Sequence, residues 1–271
     1  MAKKFIDVFQ RYEKKYIIDS YQYEEIRRRT ADRFSPDEYG KSTIMNLYLD
    51  TPEFLLIRRS LDKPLYKEKL RLRTYGIPTN DSNAFVEIKK KYRGIVYKRR
   101  VRMSYEQAEA YLLEGKSPDM ELNIPQTQIL HELDWLIGYY RDIAPVMVIS
   151  YDRTAFFGYE DPGLRITYDG EIRWRTDDLD LRHGVYGKEL LREGLYLMEI
   201  KIPGVMPMWL SQILDQLQIW PITFSKYGMA HLKNNGIYDR YPKAYPYLCE
   251  NGPDTSGILV PPAVALGELV V

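Results

Sequence analysis

Polar and apolar side chains alternate along much of this chain, and the clearest case is Tyr66–Tyr75. With period two, Lys67, Lys69, Arg71 and Arg73 fall on one face, and Leu70 and Leu72 on the other beside Glu68. Alternate residues of a strand point to opposite sides, so this is a strand with one cationic face. A charged strand face is usually the solvated side of an antiparallel sheet. The same alternation recurs over Arg11–Asp19, Thr43–Asp50, Asn83–Lys91, Ile95–Met103, Pro145–Phe157, Leu164–Asp169, Glu171–Arg175 and Leu195–Ile202.

Helical spacing fills the intervals. Asp19 with Gln22, and Ser104 with Gln107, are capping boxes, opening helices to about Phe34 and Leu113. Thr51-Pro52 starts a short helix that ends at Pro64. Leu130, Leu133, Ile137 and Tyr140 mark a helix over roughly Gln126–Asp142, and Pro207 opens another through Leu217. Phe224-Ser225-Lys226-Tyr227 leads a last helix to about Lys233, and Asp177–Lys188 reads as a loop.

Short turns between successive strands imply an antiparallel sheet. About eight strands can close into a barrel wide enough for one ligand. The expected fold is therefore α+β: a closed antiparallel β-barrel with a polar, basic lumen and helices packed on its apolar outside. No repeat or linker interrupts it, so we expect one domain over residues 1–240 and a tail over 241–271.

Composition limits what the lumen can do. Of 271 residues 45% are apolar, enough for a substantial core, and the 24 tyrosines suit half-buried strands. The net charge of +1 means that affinity for a polyanion must come from local clustering. The lone cysteine, Cys249, excludes an internal disulfide and fits a reducing compartment. No signal peptide and no run near the ~20 apolar residues of a membrane span are evident, so the expected location is cytoplasmic.

If the charged faces share one interior, its cations are Lys15, Lys69, Arg71, Arg73, Lys89, Lys98, Arg100, Arg153, Arg165 and Lys201, against Glu13, Glu87 and Glu199. So few carboxylates cannot neutralise so many cations, and desolvated unpaired cations are destabilising by several kcal/mol. The expected occupant is a polyanion, with arginine forks and lysine point charges on phosphate oxygens. Mg²⁺ or Mn²⁺ is often held by one or two carboxylates plus substrate phosphates, and Glu199 is the best candidate. The competing reading pairs Glu199 with Lys201 or an arginine.

Other chemistries fit less well. His131, His183 and His231 are scattered, with no helical pair for a metal. The chain has neither G-x-x-x-x-G-K-[ST] nor G-x-G-x-x-G, no G-x-S-x-G, and no evident base for Cys249. Trp135, Trp174, Trp209 and Trp220 read as core or helix-packing residues. Near-neutral net charge argues against nucleic acid as the partner.

The set Arg11-Tyr12-Glu13-Lys14-Lys15, Lys69-Leu70-Arg71-Leu72-Arg73, Glu87-Ile88-Lys89, Tyr151-Asp152-Arg153, Leu164-Arg165-Ile166, Glu199-Ile200-Lys201 and Phe224-Ser225-Lys226 resembles the VTC domain. That is the polyphosphate polymerase domain of the vacuolar transporter chaperone complex, placed with the triphosphate tunnel enzymes. The resemblance runs from about Phe9 to Lys233, and the order of the seven segments carries it. It implies transfer of the γ-phosphoryl of ATP to a growing polyphosphate chain, with a divalent metal, often Mn²⁺. Lys15, Arg71, Arg73, Lys89, Arg153 and Arg165 would grip the phosphates, and Tyr151 would hydrogen-bond them. Glu199 would hold the metal, and Ser225 and Lys226 would sit at the tunnel end. Lys69, Lys98, Arg100 and Lys201 join them as substrate-binding candidates. The chain departs from the eukaryotic catalytic pattern at Thr223, where that pattern has a lysine. The membrane helices of the eukaryotic complex are also missing, which leaves room for a separate membrane partner. A tunnel triphosphatase and a catalytically silent polyphosphate-binding module remain as alternatives.

Overall fold

Nine strands and six helices form among the described residues, which in this computed structural model are 12–93, 95–237 and 247. The strands are β1 (Tyr12–Asp19), β2 (Phe34–Asp50), β3 (Tyr66–Tyr75), β4 (Asn83–Tyr92), β5 (Ile95–Ser104), β6 (Ala144–Gly158), β7 (Arg165–Arg175), β8 (Lys188–Glu189) and β9 (Leu195–Ile202). The helices are α1 (Ser20–Arg29), α2 (Leu55–Leu61), α3 (Tyr105–Glu114), α4 (Ile124–Tyr140), α5 (Met208–Gln216) and α6 (Lys226–Asn234). All pairing is antiparallel, in the order β1-β9-β7-β6-β2-β3-β4-β5, with β8 added to β7.

The α+β class and the antiparallel sheet follow the sequence pattern. Closure does not: the described hydrogen bonds stop at β5 and at β1, and no ladder joins the two. The two arms of the sheet meet instead around the start of α6. Lys15 of β1 donates to the Phe224 carbonyl at 3.0 Å, and Lys69 of β3 donates to the Ser225 hydroxyl at 2.8 Å. The Ile222 amide adds a bridge to the Lys15 carbonyl at 2.7 Å. Side chains thus link what backbone pairing leaves open.

Apolar side chains face outward beneath helices, as the alternation requires. Leu70, Leu72, Val86, Ile88 and Val101 of β3–β5 pack with Leu130, Leu133 and Leu136 of α4 and with Tyr105 and Tyr111 of α3. Tyr16, Ile18, Tyr168, Met198 and Ile200 of β1, β7 and β9 pack with Ile26 of α1 and Leu210 and Leu214 of α5. A third cluster differs from expectation. Tyr48, Ile149, Tyr151, Trp174 and Leu197 pack with Phe224 and Tyr227 around α6, so one end of the interior is apolar. Of the tryptophans expected in packing, Trp174 is buried, whereas Trp135 and Trp220 are exposed.

Three local differences have clear causes. β2 begins at Phe34, not Thr43: Pro36 and Gly40, expected to break the chain between helix and strand, lie at a register shift within the strand. That irregularity carries Asp37 toward Arg165. The N-cap position of α2 is Phe54, at φ 58°, not Thr51; the Thr51 hydroxyl still accepts from the Leu55 amide at 3.1 Å, and the Asp50 carboxylate accepts from the Thr51, Leu56 and Ile57 amides at 2.8–3.0 Å. The two predicted strands flanking Gly170 are one strand, β7, with a bulge that puts Glu171 at φ 51°. A side chain at Gly170 would come within 3.0 Å of the Tyr196 ring.

The capping boxes of α1 and α3 form as predicted, and Asn123 with Gln126 makes a third at α4. No helix among the described residues is long and apolar enough to cross a membrane. Arg11, Gly94, Cys249 and the tail expected over 241–271 lie outside the described residues, except Tyr247, which is buried beside Phe224.

Candidate functional site

Strand register aligns the inward-facing charges in rows. Lys69 pairs with Lys89 and Lys89 with Lys98, while Arg71 pairs with Glu87 and Arg73 with Phe85. On the other arm Arg153 pairs with Asp169, and Lys15 with Glu199 and Glu199 with Thr167. Two carboxylate hubs organise these rows.

Glu87 is the first hub. It is 1% exposed and accepts from Arg71 at 2.7–2.8 Å and from Lys98 at 2.6 Å, with Arg73 at 3.8 Å. Burial alone would raise its pKa, but Arg71, Arg73 and Lys98 hold it down to about 2. Arg71 also donates to the Tyr48 hydroxyl at 3.2 Å, and Arg73 to Asn46 at 2.9 Å.

Asp169 is the second hub, fully buried, gripped by Arg153 at 2.5 and 2.6 Å and by Lys226 at 2.5 Å. Glu199 lies beside it with looser contacts: Lys15 at 3.3 Å, Arg153 at 3.4 Å and Lys226 at 3.6 Å. Burial opposes its ionisation, but Lys226, Lys15 and Arg153 outweigh that and hold its pKa well below the usual range.

Tyr151 joins the hubs. Its hydroxyl accepts from Arg73 at 3.4 Å, and Lys226 and Arg153 lie 4.4 and 5.3 Å from its ring centroid. Burial would raise its pKa, yet Arg73, Arg153 and Lys226 lower it below the ordinary phenol value. A hydroxyl so polarised is a strong hydrogen-bond donor to an anion.

The remaining lysines are depressed by one cause, loss of hydration among like charges. Burial with Lys89, Lys15 and Arg71 nearby pushes Lys69 well below its ordinary value. Lys89 and Lys201 are lowered chiefly by lost hydration, partly offset by Glu13 and Glu199. Lys98 falls to about 8, because lost hydration and the charges of Arg73 and Arg71 outweigh Glu87. A bound polyanion would return these lysines to the charged form, so binding should take up protons. The affinity for tripolyphosphate is expected to weaken as pH rises from 7 to 9, through the folded-state value of Lys98. Lys98→Arg, which keeps its charge, should flatten that slope. Calorimetric titration of both proteins at each pH separates the lysine from the ligand's own ionisation.

Most of the residues expected at the site therefore converge: Lys15, Lys69, Arg71, Arg73, Lys89, Lys98, Tyr151, Arg153, Glu199, Ser225 and Lys226. Ser225 is the N-cap of α6, accepting from the Gly228 amide, which aims Lys226 at Asp169. Arg165 sits farther along β7 against Asp37 at 3.4 Å, with Lys201 opposite it on β9. Arg100 stands apart, exposed on β5 with its guanidinium 4.8 Å from the Phe85 ring. Asp169 was left out of the predicted charge inventory, although it shares the Arg165 face in the sequence. Asn46 and Tyr48 were also missed, although period two puts them on one face of the same strand. With Asp37 and Asp169 added, five carboxylates meet these cations among the described residues, and the cations still outnumber them about two to one.

A metal must be judged on that donor set. No group of three or more potential ligands occurs among the described residues, so the protein supplies no cage of its own. An ion that takes most of its oxygens from phosphate and water needs only one or two carboxylates. Glu199, held by long contacts at 3.3–3.6 Å of which the one from Arg153 at 3.4 Å is a hydrogen bond, fits that requirement.

No curated protein matches. Solved structures similar to the chain include a candidate adenylate cyclase from Bacillus halodurans, 16% identical, covering 79% of this chain and 92% of that one with a TM-score of 0.48. Another is a candidate adenylyl cyclase from Hippeastrum, described as having a dominant triphosphatase activity. It is 14% identical, covering 83% of this chain and 95% of that one, with a TM-score of 0.48. The VTC domain family matches residues 10–233, a span holding both carboxylate hubs and every cation around them. By that match the chain belongs to the VTC domain family.

Proposed function

We propose that this protein is an ATP-dependent polyphosphate polymerase, which moves the γ-phosphoryl of ATP onto the terminal oxygen of a polyphosphate chain and releases ADP. The observation that carries the reading is the excess of inward-facing cations over carboxylates, arranged around a polarised Tyr151. Phosphoryl transfer is accelerated mainly by positioning and charge neutralisation, which such a lining supplies without a covalent nucleophile. Arg71 and Arg73 on one arm and Arg153 and Lys226 on the other would hold neighbouring phosphoryl groups in line. Lys69, Lys89 and Lys98 would follow the chain along β3–β5, and Lys15, Arg165 and Lys201 along β1, β7 and β9. Glu199 would hold Mn²⁺ or Mg²⁺ against the phosphate oxygens, where the ion adds Lewis-acid charge neutralisation. The partners in this reading are ATP and polyphosphate in the cytoplasm.

Hydrolysis on the same scaffold is the rival; Thr223, which stands where the eukaryotic catalytic pattern has a lysine beside Phe224, bears on the rate of either reaction. Incubation with ATP and Mn²⁺ separates them. Chains of polyphosphate with equimolar ADP support polymerisation; orthophosphate without chain growth rejects it in favour of a triphosphatase. Binding without turnover of either kind leaves a silent polyphosphate-binding module. Glu199→Gln is expected to retain binding and lose turnover by a hundredfold or more, on the order of the loss when a charge-stabilising group is removed.

A further inference from the structure

Thr167 sits where the charged rows converge, yet its hydroxyl has no role in the folded chain. The residue is 1% exposed, and Oγ1 has no hydrogen-bond partner among the described residues. Its β7 position pairs with Ala155 on β6 and with Glu199 on β9, and Glu199 pairs in turn with Lys15 on β1. Thr167 therefore shares the inner face with Arg165 two residues before it and Asp169 two residues after. On one side the neighbour is the single methyl group of Ala155, which offers the hydroxyl no acceptor. Arg165 shows the same deficit at Nε, which is buried without a hydrogen-bond partner among the described residues; its guanidinium has a long ion pair to Asp37 and lies 4.5 Å over the Phe157 ring.

Valine would fill the same volume and suits a strand equally well, so packing does not explain the hydroxyl. A buried donor left unpaired is destabilising, and in native proteins such groups are few and often functional. Two orphan donors two residues apart, on a face crowded with cations, call for a shared anionic acceptor.

We propose that Thr167 is a ligand-contacting residue, whose hydroxyl donates to a non-bridging phosphoryl oxygen bound between Arg165 and Glu199, above Ala155. The inference rests on the polyphosphate reading of the site and adds one phosphoryl position to it. Arg165 Nε donates to the same phosphoryl group. Because Oγ1 is closed off from solvent in the unliganded chain, the contact forms by rotation of the Thr167 side chain as phosphate enters.

Thermal unfolding and tripolyphosphate titration of wild type, Thr167→Val and Thr167→Ser test this. Free Thr167→Val should unfold at a higher temperature than wild type, since it loses an unpaired buried hydroxyl. It should also bind tripolyphosphate at least about tenfold more weakly, the loss of one charge-assisted hydrogen bond. Thr167→Ser, which keeps the hydroxyl, should bind within about threefold of wild type, since it loses only a methyl group. Wild-type binding with equal affinity in Thr167→Val overturns this inference alone and makes the hydroxyl merely buried. Absence of tripolyphosphate binding in wild type overturns both the inference and the reading beneath it.

Discussion

Asp169→Ala is expected to destabilise the phosphate-free protein by about 3–5 kcal/mol, the usual loss when one member of a buried ion pair is removed. The carboxylate is fully buried and neutralises two cations at once, Arg153 at 2.5–2.6 Å and Lys226 at 2.5 Å. Without it, the carboxylate left beside both among the described residues is Glu199, at 3.4 and 3.6 Å. The account further expects the loss to be reversible by ligand. Phosphate oxygens would take over the abandoned guanidinium and ammonium, so saturating tripolyphosphate should raise the melting temperature of Asp169→Ala by more than it raises that of wild type. Ligand binding stabilises the native state by mass action, and the excess in the variant measures the substitution of phosphate for carboxylate. An equal or smaller shift in the variant would mean that Arg153 and Lys226 serve structure alone.

The second large effect belongs to Arg71. Its guanidinium reaches Glu87 and the Tyr48 hydroxyl from the middle of β3, beside Lys69 and Arg73 on the same face. Arg71→Glu is expected to abolish measurable tripolyphosphate binding. The substitution removes one cation, adds an anion and leaves Glu87 with a like-charged neighbour that repels the ligand. A smaller change, Arg71→Met, should weaken binding by about tenfold to a hundredfold, as for a lost charge-assisted hydrogen bond. Circular dichroism and a melting curve show whether each variant remains folded, since Glu87 keeps Lys98 at 2.6 Å.

The sheet was legible because period two reports strand faces directly, and in these strands one face is charged and the other apolar. Capping at α1 and α3 was legible because both boxes are local, three residues apart. What failed depended on contacts distant in sequence. Thr51 accepts from the Leu55 amide, as its position suggests, but Asp50 takes the next two amides of α2 and accepts from the Tyr227 hydroxyl at 2.9 Å, a partner 177 positions away. Pro36 and Gly40 read as a break between helix and strand because a bulge and a turn share the same residues. The cationic lining was legible as a sum of strand faces, but its division between Glu87 and Asp169 was not. Arg153 and Asp169 lie on different strands, and only register brings them together. Closure could not be read at all, since the link between the arms runs through Lys15, Lys69 and the start of α6 instead of a backbone ladder.

The most direct measurement is calorimetric titration of tripolyphosphate into wild-type protein and Arg71→Glu at low and high salt. Converging cations that replace the counterions of a phosphate chain predict tight wild-type binding, a steep loss of affinity with added salt, and no heat from Arg71→Glu. Wild-type protein that fails to bind, or that binds equally well with Arg71 reversed, would contradict the account.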